Sequence, residues 1–163
     1  MDISNSKIAV VGLGYVGLPL TVEFARHYPT LGFDINVARV DQLSQGRDNM
    51  MDLTPDELAA AIHGSYSSDP DSLAGYNVYI VTVPTPVDRQ NQPDLTALKN
   101  ACNLVGHYLS DGDTVIFEST VYPGCTEEIC VPILENVSGG TFNRTFLSAI
   151  LRSASTQVIR NTG

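Results

Sequence analysis

A short apolar run, Lys7-Ile8-Ala9-Val10-Val11, runs straight into Gly12-Leu13-Gly14-Tyr15-Val16-Gly17, and the residues after it are spaced as a helix. Strand, then G-x-G-x-x-G, then helix constrains the fold more than any other feature of the chain. The first glycine of such a loop permits a tight turn and the second lets backbone approach a diphosphate. The third lets helix and strand pack closely. Asp34 follows about 20 residues later, at the end of a second apolar run, where a carboxylate can accept hydrogen bonds from ribose hydroxyls. The cofactor-binding residues read from this pattern are Gly12, Gly14, Gly17 and Asp34.

The rest of the chain alternates in the same way. Leu18 to His27 has apolar residues at helical spacing and is ended by Pro29. Thr30 to Asp34 reads as a strand and Asn36 to Gln45 as a helix closed by Gly46. Thr54-Pro55-Asp56-Glu57 carries a capping box with proline at the first helical position, starting a helix to about His63. Ser65 to Ser68 is a short strand. Val78 to Val83 is nearly all apolar, as a strand covered on both faces must be. Asp94 is placed to cap a helix from Leu95 to Leu109. Thr114 to Glu118 is a further strand, and Thr126 to Val137 a helix kinked at Pro132. Strands alternating with helices predict an α/β fold: a Rossmann-type, doubly wound parallel sheet with helices on both faces.

Composition narrows the function classes. The 163 residues suit one domain, and a net charge of −9 repels nucleic acid and anionic membrane surfaces. An anionic cofactor remains compatible, because amides at a helix N-terminus bind phosphate without Lys or Arg. No apolar stretch is long enough to span a bilayer, and the N-terminus lacks the pattern of a signal peptide. The three cysteines, Cys102, Cys125 and Cys130, have no metal-ligand spacing and read as thiols of a reducing, cytoplasmic compartment. No metal site is expected.

Ligands of such sheets sit beyond the carboxyl ends of the strands. The segments Val83-Pro84-Thr85-Pro86 and Glu118-Ser119-Thr120-Val121 are therefore expected to line the nicotinamide half, with Thr85 and Thr120 offering hydroxyls. A carboxylate at Asp34 repels the extra phosphate of NADP and favours NAD. Arg39 leaves NADP open, since a nearby Arg can receive a 2′-phosphate; stacking on the adenine face is the preferred reading. His27, His63 and His107 stand alone and read as surface residues, and Glu127 and Glu128 as first-turn acids favoured by the helix dipole.

The strings VGLGYVGLPL, GFDIN with Arg39 and Val40, VTVPTPVD, NQPDL and ESTVYPGCTEE resemble the UDP-glucose/GDP-mannose dehydrogenase family. The resemblance runs from residue 7 to about 143, with a flavour of the UDP-N-acetylglucosamine and UDP-N-acetylgalactosamine 6-dehydrogenases of bacterial polysaccharide synthesis. It implies an oxidoreductase that takes the C6 alcohol of a UDP-sugar to a carboxylate while two NAD are reduced. It also implies that Gly12, Gly14, Tyr15, Val16, Gly17, Asp34, Arg39, Thr85 and Thr120 contact NAD, and that Thr120 orders a catalytic water. The family's nucleophilic Cys, with its Lys and Asn, belongs to a central domain expected to be absent here, as is the UDP-binding C-terminal domain. Oligomerisation, a family property, is left unassigned. At Asp48-Asn49-Met50-Met51-Asp52 the chain departs from the family's usual Thr and Glu.

Residues 145–163, TFLSAILRSASTQVIRNTG, match nothing in the family. Synonymous codons exist for which the same bases, read from the last base of the Arg144 codon, encode NFFVGYSPERINPGDKEHR. That string carries the family's next motif in order and in place. The expectation is a NAD-binding domain over 1–143 and a frameshifted tail over 144–163, leaving the sheet without its last strand and the tail loosely held. Phe146 to Leu151 could still pack by hydrophobicity. Three outcomes follow for function: the cofactor domain of a truncated 6-dehydrogenase that is inactive alone, a non-catalytic NAD-binding module, or an unstable decayed fragment.

Overall fold

The computed structural model describes residues 5–50, 53–87, 92–118, 121–152 and 155–157, with side-chain burial resolved as far as Leu147. Its strands are β1 (Ile8–Val11), β2 (Thr30–Phe33), β3 (Gly64–Ser67), β4 (Val78–Val81), β5 (Thr114–Phe117), β6 (Leu147–Arg152) and β7 (Ser155–Gln157). Its helices are α1 (Gly17–Ala25), α2 (Val37–Ser44), α3 (Pro55–Ala59), α4 (Thr96–Gly106) and α5 (Val131–Ser138). The strands form one sheet in the order β3-β2-β1-β4-β5-β6-β7, parallel as far as β6 and antiparallel at β7. This is the doubly wound order, with its reversal between β1 and β4.

The apolar runs alternate across a sheet that is covered twice. Ala9 and Val11 of β1 join Phe33, Tyr79, Val81, Val115 and Phe117 beneath α4 and α5. Ile8 and Val10 face the other way with Val78 and Ile80. On that second side Leu18 and Val22 of α1 meet Leu43 of α2 and Leu58 of α3, with Leu13 of the glycine loop packed among them. The loop is thus anchored in the core by one of its own side chains.

Local signals place most boundaries. Thr54 and Glu57 form the expected reciprocal capping box, but α3 stops at Ala59 rather than near His63. Asp94 Oδ1 accepts the Thr96 amide at 2.9 Å, so α4 begins one residue later than the capping pattern suggests. The expected kink at Pro132 is absorbed by a π-helical turn over Thr126–Cys130, after which α5 starts with Pro132 in its first turn, where no amide is needed.

The sheet is not missing its last strand. Leu147–Arg152 lies parallel to β5 in the register Thr114↔Leu147 to Phe117↔Ile150, and β7 folds back on it. The edge of β5 offers a ladder of backbone groups that any extended, proline-free segment can satisfy, and Phe146 seals the entry to the strand. Residues 153, 154 and 158–163 of the tail lie outside the described residues.

Candidate dinucleotide site

The first turn beyond β1 is held from several directions. Gly12 takes φ +104°, a region side chains avoid, and its amide donates to Phe33 O at 2.8 Å. A Cβ at Gly17 would lie 1.8 Å from the Gly12 carbonyl oxygen and 2.5 Å from Thr82 Oγ1. The third glycine therefore clears space for that carbonyl and for a hydroxyl from the end of β4. A Cβ at Gly14 would meet nothing within 4 Å. The fold leaves open space at that position.

Helix α1 begins without a side-chain cap and without an acid in its first turn. The amides of Gly14, Tyr15 and Val16 donate no hydrogen bond to any described residue. Orphan donors at a helix N-terminus, beside an open space at a glycine, are the cradle that a diphosphate fills. Tyr15 stands 76% exposed at its rim.

Asp34 sits where a ribose would follow. Its Oδ2 accepts the Leu13 amide at 2.8 Å and its Oδ1 the Asn36 amide at 2.9 Å. A carboxylate has about four lone-pair positions, so these two bonds orient it and leave capacity for two hydroxyl donors. Ile35, next to it, is 84% exposed and offers an apolar face.

Arg39 is not on that surface. It is 7% exposed, its Nε donates to Leu13 O at 3.0 Å, and its Nη1 pairs with Asp48 Oδ1 at 2.6 Å. Stacking on an exposed base is corrected by this burial: the guanidinium lies beneath the glycine loop, with Nε and Nη1 engaged. Asp48 also accepts the amides of Met50 and Leu53, at 3.1 and 3.0 Å. Burial works against its charge, while the Arg39 hydrogen bond and the two amides hold its carboxyl below the usual 3.8. The segment that departs from the family's usual residues thus supplies the counter-charge. Its signal in the sequence was a basic residue followed by an acid in the next loop, a pattern too common to single out.

Thr82 was also not singled out. Its Oγ1 donates to Gly12 O at 2.7 Å, with Val11 O at 3.1 Å. Three residues on, Thr85 lies half-buried in the segment leaving β4. Glu118 follows β5 at the same edge, its amide donating to Val81 O, and burial pushes its carboxyl above the usual 4.5. Thr120 lies outside the described residues.

The remaining candidates behave as packing and surface. Cys102, Cys125 and Cys130 are all buried and free of disulfides, Cys102 within α4 and Cys130 just before α5. A hydrogen bond to Cys102, together with burial, pushes the Cys130 thiol well up, and burial does the same for Cys125. His27, His63 and His107 are exposed. Among the described residues no group of side chains could hold a metal ion, and no helix is long and apolar enough to cross a membrane.

With this geometry in place, the comparisons with known proteins fall into one pattern. Residues 6–158 match the UDP-glucose/GDP-mannose dehydrogenase family, NAD binding domain. This chain belongs to that family. A UDP-N-acetyl-D-glucosamine 6-dehydrogenase of Salmonella typhi is 50% identical over 144 residues, 88% of this chain and 34% of the relative. The Pseudomonas aeruginosa protein of the same name is 52% identical over 142 residues, 87% of this chain and 34% of the relative. The chain therefore spans about a third of the length of these relatives. Among solved structures, a UDP-D-ManNAc dehydrogenase of Pyrococcus horikoshii superposes with a TM-score of 0.78 at 31% identity, covering 93% of this chain and 38% of that one. A GDP-mannose dehydrogenase of Pseudomonas aeruginosa reaches 0.81 at 23% identity, over 88% and 35%, and shares the fold. The domain is a Rossmann-type NAD-binding domain, and its cofactor is NAD.

Proposed function

We propose that this chain is the cofactor-holding portion of a UDP-N-acetylhexosamine 6-dehydrogenase, acting in the cytoplasm, and that it does not turn over sugar alone. The observation that carries the reading is the set of unpaired amides at Gly14, Tyr15 and Val16 facing open space, with the Asp34 carboxylate held alongside. In this reading the Gly12–Gly17 loop grips the diphosphate, Asp34 takes the adenosine ribose hydroxyls and Ile35 covers the adenine. Thr85 and Thr120 serve the nicotinamide side, where Thr120 also orders a water. Arg39 acts on the cofactor from beneath, through the loop. NAD, when bound, supplies the acceptor for hydride from the sugar C6. Three buried thiols free of disulfides support a reducing compartment.

Calorimetric titration of the chain with NAD and NADP tests the site. NAD is expected to bind and to raise the melting temperature, by about 2.7 kcal/mol of stabilisation at one hundred times Kd. NADP is expected to bind far more weakly, because Asp34 repels its extra phosphate. Absence of heat with either dinucleotide, on folded chain, overturns the reading. NADH formation with UDP-N-acetylglucosamine or UDP-N-acetylgalactosamine is expected to be undetectable, and turnover by the chain alone would contradict the assignment of the chemistry to regions beyond it.

We further propose that residues 144–163 are translated from a displaced frame. Sequencing the coding DNA from codon 140 onward tests this: codons other than the synonyms that permit the alternative string end the idea.

A further inference from the structure

A glycine-rich loop is a poor ligand unless something fixes it, because Gly14 gives the backbone freedom to turn either face of a peptide toward the cofactor. A peptide whose carbonyl faced the diphosphate would repel it. The orientation of the two peptides in this loop is set by side chains remote in sequence. The Gly12–Leu13 peptide is held at both ends, its carbonyl by Thr82 Oγ1 at 2.7 Å and its amide by Asp34 Oδ2 at 2.8 Å. The Leu13–Gly14 peptide is held at its carbonyl by Arg39 Nε at 3.0 Å. In a planar trans peptide the N–H points opposite to the C=O. With the Leu13 carbonyl drawn inward to a buried guanidinium, the Gly14 amide must face away from it, toward the space in which a Gly14 Cβ would meet nothing.

Arg39 holds this position only because its fork is anchored. Its Nη1 is 2.6 Å from Asp48, whose side chain is fully buried and accepts two further amides. The remaining nitrogen, Nη2, is buried and unpartnered. We infer that Asp48 and Thr82 are positioning residues of the dinucleotide site: Asp48, through Arg39, presets the Gly14 amide to face the diphosphate, and Thr82 holds the Gly12 carbonyl away from it. This rests on the glycine loop being the diphosphate site. Asp48 thereby also keeps Arg39 out of reach of a 2′-phosphate.

The test uses the whole chain with ADP and adenosine as probes, since only ADP engages the loop. Thr82→Val keeps the shape and removes the hydroxyl, and Thr82→Ser restores it. Asp48→Asn keeps the shape and weakens the hold on Arg39. Thr82→Val and Asp48→Asn are expected to raise the ADP Kd about tenfold, the scale of one hydrogen bond. Thr82→Ser is expected to stay within about twofold. Adenosine is expected to weaken less than ADP in Thr82→Val and Asp48→Asn, because Asp34 keeps its bond from the Asn36 amide. A purely structural role would weaken both probes together. If Asp48→Asn does not fold, the Thr82 pair carries the test. ADP affinity unchanged in Thr82→Val, or ADP and adenosine weakened alike, overturns the inference. Failure of the unaltered chain to bind ADP is a separate result, one that removes the diphosphate site itself.

Discussion

The sheet has two wings that hold together by different means. Around β1, β2 and β4 every strand residue is buried, and the loop above them is fastened by a carboxylate, a guanidinium and a hydroxyl. At the far edge β6 joins β5 through its backbone ladder, with Phe146 buried at 1% exposure and Leu147 half in solvent at 49%. Backbone pairing asks only for an extended segment, whereas a preset loop asks for particular atoms at particular distances. An edge strand therefore constrains residue identity less than a preset loop does.

The largest expected effect lies at the edge. Phe146 packs against Phe142 with ring centroids 6.1 Å apart, and Phe146→Ala should cost about 3–5 kcal/mol in denaturant unfolding. Hydrogen exchange should show the β6 amides losing protection while those of β1 keep it, and NAD affinity should hold. Equal loss in both wings would show that the sheet has no independent edge.

Within the loop, two glycines should separate. Gly17→Ala drives a methyl into backbone and should cost about 1–3 kcal/mol, abolishing NAD binding as well. Gly14→Ala has room in the protein, so its melting curve should stay within about 0.5 kcal/mol of the starting chain. Its NAD affinity should nevertheless fall at least about tenfold, because the methyl occupies the approach of the diphosphate. A stable Gly14→Ala chain with full affinity would move the cofactor elsewhere.

The smallest effect is in pH, where the wings carry opposite signs. Asp48 has its pKa lowered from 3.8, so its contribution is complete above that value and is lost as pH falls through the lowered one. Asp113, before β5, has its pKa raised from 3.8 by burial, and Glu118, after it, is raised from 4.5 for the same reason. Their contributions are present below those values and fade as pH rises through the raised ones. Asp48→Asn should therefore flatten the loss of stability below about pH 3.8 and leave the slope above it unchanged, as read from denaturant curves at stepped pH.

Much of this was legible in order of appearance. The glycine loop after an apolar run, the acid closing β2 and the capping box at Thr54 are local patterns, readable because each acts within a few residues or one βαβ unit. The expected stacking role of Arg39 was not correct, because its partner Asp48 lies in a loop that carries no periodicity. Thr82 escaped notice because its acceptor, Gly12 O, is 70 residues away. The last strand was expected to be missing, since its family motif is absent. The structure forms it from Leu147–Arg152 because a sheet edge selects for extension rather than for motif.

The sequence by itself determined the alternation of strands and helices, the glycine loop after the first strand and the acid after the second, because these depend on residue type and short spacing. Only the tertiary structure decided which side chains hold the loop, where Arg39 goes and what fills the sheet edge. Those depend on segments distant along the chain being brought within 3 Å of one another, by a core in which many apolar contacts act at once.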